Sequence, residues 1–75
     1  MVNPTFKRDL ALRHVLRAFH VVASQERLVE RLRVVGYPTE EAEKVLESFR
    51  GSLRVYEADL ALAEKQCRTL RGLRS

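Results

Sequence analysis

Small and apolar residues recur along the second half of the chain at Ala42, Leu46, Phe49, Leu53, Tyr56, Leu60, Ala63, Cys67 and Leu70. The steps alternate four and three. An α-helix turns once in about 3.6 residues, so this run keeps one stripe on one side of a helix and predicts that the stripe lies along another helix. The first half is apolar over a wider arc. Leu12, Val15, Leu16, Phe19, Val22 and Ala23 form one stripe; Val21, Leu28, Leu32 and Val35 form a second, rotated around the helix. One neighbouring helix needs only a narrow stripe, so the wider arc predicts two neighbours. Gln25 falls between Val21 and Leu28, either setting register as a polar seam residue or lying at the solvent edge.

The punctuation between these runs predicts two long helices, about 4–35 and about 40–71. Asn3 followed by Pro4 is a helix start, since proline at the first helical position loses no hydrogen bond. Gly36 suits the left-handed residue that ends a helix, Pro38 prevents continuation, and Thr39 is a cap for the next. Glu40, Glu41 and Glu43 then favour the positive end of that helix. A connection this short makes the helices antiparallel neighbours. Gly51-Ser52 is the weak point of the second helix, but the stripe passes through it in phase; one continuous helix is expected, with Gly51 allowing a close crossing. Gly72 is the expected cap at the end.

Seventy-five residues with 45% hydrophobic and 32% charged side chains make one folded domain, 1–75, with little core to spare. Two helices sharing one stripe come out near zero once ordering costs are counted. An antiparallel hairpin that dimerises into a four-helix bundle resolves this. A further stripe on the second helix, Val55, Ala58, Ala61 and Leu62, has no partner within a hairpin. The protein-interface candidates are therefore Phe19, Val22, Val55, Ala58 and Leu62.

Charge is uneven: residues 1–35 carry +4, 36–66 carry −3 and 67–75 carry +3, for a net +4. Arg13, Arg17, His20, Ser24, Arg27 and Arg31 follow a 4-3-4-3-4 spacing and share a helix face. Such a stripe can follow a phosphate backbone, and it is the candidate nucleic-acid surface. The competing expectation is a solvated or ion-paired face, in which the antiparallel helix lays Glu43 and Glu47 near Arg27 and Arg31, and Glu57 and Glu64 near Arg13 and Arg17.

Enzyme chemistry finds little purchase. His14 and His20 sit on nearly opposite helix faces, so they cannot chelate one metal. Glu26 and Glu30, and Glu43 and Glu47, are a turn apart, but no Glu-x-x-His accompanies them as in di-metal carboxylate bundles. Ser24 is one turn from His20, and nothing orients that histidine. No catalytic residue, cofactor, metal ligand or small-molecule substrate is assigned. The lone Cys67 on the stripe reads as a small core residue in a reducing compartment, and the absence of a long apolar run or a signal-peptide pattern leads to the expectation of a cytoplasmic chain with no membrane partner.

The run Gln25-x-x-Leu28-Val29-x-x-Leu32, Gly36, Ala42-x-x-Val45-Leu46-x-x-Phe49-x-x-Ser52-Leu53-x-x-Tyr56 resembles a pattern in short, uncharacterised proteobacterial helical proteins, over about residues 23–63. That resemblance implies a bacterial cytoplasmic protein and no site residues. The layout is also similar to the Rop-type RNA-binding hairpin, which dimerises into a four-helix bundle. The functional expectation is a non-enzymatic protein–protein interaction module, a small regulator or adaptor acting as a homodimer or on another protein. The alternative is a nucleic-acid-binding dimer using Arg13, Arg17, His20, Arg27 and Arg31.

Overall fold

The computed structural model describes residues 4–74. They form an all-α antiparallel hairpin of two helices, α1 (Pro4–Val35) and α2 (Glu40–Arg74), packed against each other. Asn3, the expected cap of α1, lies outside the described residues. α2 runs through Gly51 without a break and past Gly72, so neither glycine stops it. Gly72 therefore does not cap α2 as expected, and the helix ends later than residue 71. A methyl group built on Gly51 would meet only the Arg54 side chain, at 3.9 Å, so Gly51 marks no close helix crossing either.

The connection closes by backbone geometry. Gly36 has φ +82°, its N–H donates to the Arg33 carbonyl at 3.2 Å, and the Tyr37 N–H donates to the Leu32 carbonyl at 2.9 Å. This pair of bonds is the Schellman arrangement, which satisfies carbonyls that a helix end otherwise leaves open. Glycine takes the left-handed conformation without the steric penalty of a Cβ. The Glu43 N–H donates to the Thr39 carbonyl at 2.8 Å, opening α2, and three glutamates follow in its first turn.

The α2 stripe packs as its spacing requires from Ala42 to Cys67: Leu46, Ala63 and Cys67 are buried, and Ala42, Phe49, Leu53, Tyr56 and Leu60 are half-buried, while Leu70 at its end is exposed. The α1 seam is centred elsewhere than expected, with Val21, Ala23 and Leu28 half-buried at its edges and Val35 exposed. It runs through Ala11, Val15, Ala18, Val22, Gln25, Val29 and Leu32, again at alternating steps of four and three. Val29, which falls on neither stripe read from the sequence, is the most buried of the core residues at 5% exposure. Leu12, Leu16 and Phe19 face water instead. The reason is complementarity. The facing α2 stripe carries Phe49, Leu53, Tyr56 and Leu60, so small alanines and compact valines on α1 allow close approach, and larger side chains are left outside.

Gln25 lies on this seam, half-buried, and its Nε2 donates to the Ala42 carbonyl at 2.9 Å. It therefore ties the middle of α1 to the first turn of α2. The rings of His14 and Tyr56 are 5.3 Å apart, Glu26 pairs with Arg50 at 3.1 Å, and Arg33 pairs with Glu43 at 3.2 Å. These contacts run in opposite order along the two helices, as an antiparallel pair requires. The Cα trace measures 60 × 20 × 14 Å, so the hairpin is a slab one helix thick with two broad faces.

Candidate interaction surfaces

The two broad faces differ in chemistry. On one, flanking residues of the seam carry interlocked ion pairs. Glu26 meets Arg50, Arg33 bridges Glu30 and Glu43, and Glu47 lies 3.9 Å from Arg50 and 3.5 Å from Arg54. Glu26, Arg33, Glu43, Glu47 and Arg50 line an open groove with Val29 and Leu46. Exposed pairs of this kind contribute about 0–1 kcal/mol each and mainly specify orientation. Beside them, nearer the open end of the hairpin, Leu12, Leu16 and Phe19 form an exposed patch, Phe19 at 63% exposure.

The opposite face carries Val21, Leu28 and Val35 from α1 and Val45, Ser52 and Asp59 from α2, spaced seven apart on each helix. Next to these rows come Leu10, Arg17, Ser24 and Arg31 on α1, and Glu41, Ser48, Val55 and Leu62 on α2. A groove of ≈ 330 Å³ opens here over Ala18, with Val21, Phe49 and Tyr56 as walls and Ser52, His14 and Arg17 at the rim. Among the described residues no ion pair joins the helices on this side, and Arg17, Arg31 and Asp59 have no ion-pair partner at all.

The five interface residues read from the sequence do not form one surface. Val22 is 8% exposed and belongs to the hairpin core with Val29 and Leu46, so it is not free to meet a partner. Phe19 flanks the ion-pair face. Val55 and Leu62 border the valine face, and Ala58 is exposed on the back of α2. Val21 and Leu28, from the second α1 stripe, lie with Val45 on that face, which becomes visible only once the α1 seam is known.

The arginine stripe is exposed along its whole length: Arg13, Arg17, His20, Arg27 and Arg31. The expected pairing with α2 glutamates does not occur. Glu43 and Glu47 are engaged by Arg33, Arg50 and Arg54, so the stripe is a solvated face, with Arg17 at the rim of the groove shared with Phe49, Ser52 and Tyr56. Arg27 donates to the Ser24 hydroxyl at 3.1 Å, so that hydroxyl is held by an arginine and not by His20. Cys67 is buried as a free thiol. Among the described residues no group of three or more His, Cys, Asp or Glu side chains could hold a metal ion, and no helix is long and apolar enough to cross a membrane. No protein-family model, no curated protein and no solved structure matches the chain.

Proposed function

We propose that this chain is a non-enzymatic interaction module that works as a homodimeric four-helix bundle in the cytoplasm, as a small regulator or adaptor. One observation carries the reading: the hairpin exposes 6030 Å². A compact globular chain of its mass would expose about 4,700 Å². The surplus is of the size that one partner contributes to a stable interface, about 800 Å² or more. The radius of gyration, 17.2 Å, points the same way, since a compact domain of this length has one of about 11 Å. The core explains why the surplus matters. Among the described residues, six apolar residues are buried, none completely, and twelve large hydrophobics are exposed. Hydrophobic burial of that extent does little more than offset the ordering of two long helices. Sedimentation equilibrium of the intact chain tests the reading. A mass of twice 8.7 kDa supports it, and a single-chain mass with full helicity overturns it.

A second reading is favoured by the unpaired arginines. Arg13, Arg17, Arg27 and Arg31 extend along about 27 Å of α1, and among the described residues no carboxylate pairs with them, which suits contact with a nucleic-acid backbone. Four phosphate contacts predict that affinity for duplex DNA falls about 10²-fold between 50 and 200 mM salt. An electrophoretic shift series reads this, and absence of binding at the lowest salt removes the second reading.

A further inference from the structure

We infer that the outer edge of α1, over its first half, docks on an anionic lipid bilayer and lies flat at that surface without crossing it. Two rows, side by side on one helix, carry this. Leu12, Leu16 and Phe19 form an exposed apolar row, at 44%, 59% and 63% exposure. The residue after each of them is Arg13, Arg17 or His20, also exposed. One residue is about 100° of helical turn, so the basic row runs alongside the apolar one. Arg13 and His20 come two residues after the seam residues Ala11 and Ala18, about 200° round the helix, on the side away from the seam. A bilayer surface accepts both rows at once. Apolar side chains enter the acyl boundary, while arginine stems reach back to the lipid phosphates. The sequence-based expectation of no membrane partner followed from the lack of a spanning run, which a helix lying on the surface does not need.

Charge complementarity names the occupant. From Leu10 to Gln25, α1 carries no acidic residue. The carboxylates that bound this stretch are already held, Asp9 by Arg8 at 3.4 Å and Glu26 by Arg50 at 3.1 Å. Among the described residues neither Arg13 nor Arg17 has an ion-pair partner. Glu57 and Glu64 belong to α2, so the contact is edge-on, with α1 toward the lipid and α2 behind it. The apolar row ends at Ala23, since its next positions are Glu26 and Glu30, and the footprint ends with it. A duplex nucleic acid would engage the arginines, as in the second reading above, and leave Leu12, Leu16 and Phe19 in water. The bilayer covers them. This contact does not depend on the homodimer, and the face with Val21, Leu28 and Val45 stays free for a second copy.

Co-sedimentation of the intact chain with vesicles tests this, using phosphatidylcholine mixed with phosphatidylserine and phosphatidylcholine alone. The chain pellets with the first and stays in solution with the second. Arg13→Gln and Arg17→Gln each lower the affinity for anionic vesicles about fivefold. Leu16→Ser combined with Phe19→Ser lowers it about tenfold or more, with helicity unchanged because both side chains are exposed. The sequence contains no tryptophan, so Phe19→Trp is a lone reporter whose emission shifts to the blue on anionic vesicles. Ala58→Trp, exposed on the back of α2, does not shift. No pelleting with anionic vesicles at low salt overturns the inference, and binding to duplex DNA in its place overturns it in favour of nucleic acid. Pelleting that the double serine variant leaves unchanged overturns the apolar contact, and equal blue shifts at positions 19 and 58 overturn the choice of edge. Sedimentation equilibrium of the same variants without lipid reads the homodimer separately.

Discussion

Replacing Leu46 with aspartate unfolds the chain. Leu46 is 6% exposed and packs with Val22 and Val29, with Ala42, Phe49 and Leu53 around them. The substitution removes a buried aliphatic side chain, worth about 2–5 kcal/mol even as alanine, and leaves a carboxylate with no cation in the core. Domains of this size carry stabilities of roughly 5 kcal/mol or less, so the loss exceeds what is available. Far-ultraviolet circular dichroism of Leu46→Asp shows a disordered chain at all temperatures. Leu46→Ala keeps the helical spectrum with a lower midpoint. A helical Leu46→Asp spectrum would place the stabilising contacts somewhere other than this seam.

Val45→Asp splits the dimer and Phe19→Asp does not, although Phe19 is the more exposed of the two, at 63% against 42%. Exposure alone would rank them the other way. Val45 stands in the row with Ser52 and Asp59, and Phe19 stands seven residues before Glu26, beside the ion pairs of the other face. Burying one valine is worth about 1.5–3 kcal/mol. Two-fold symmetry counts the loss twice, so the dissociation constant of Val45→Asp rises about 10²-fold or more. Sedimentation equilibrium of both variants over the same concentration range checks this. Equal masses would assign the surplus apolar surface to another occupant or to the opposite face.

The sequence makes α2 legible because only one arc of it is apolar. Its stripe from Ala42 to Cys67, its passage through Gly51 and the turn at Gly36 all read directly from spacing and residue chemistry, and the structure agrees. α1 is different. Its apolar residues occupy several adjacent arcs, and the arc that packs is the one with the smaller side chains. Ala11 and Ala18 carry too little hydrophobicity to stand out beside Leu12, Leu16 and Phe19. The facing row of Phe49, Leu53 and Tyr56 decides the matter, and that information lies on the other helix. The choice between a solvated and an ion-paired arginine face is settled by the same seam. Once the seam shifts toward Val22 and Val29, Glu26 and Arg33 become its flanks and the arginine stripe rotates outward, away from Glu43 and Glu47.

The fastenings between the helices are gathered at one end. Gln25 to Ala42, Glu26 to Arg50 and Arg33 to Glu43 lie on the turn side of the molecule, where the backbone bonds of Gly36 and Tyr37 also sit. Toward the far tips, the seam itself and the contact of His14 with Tyr56 join the rods. The hairpin is hinged like a pair of tongs, with its jaws free to part before its pivot does, so it closes from the bend outward through contacts that are near in sequence there.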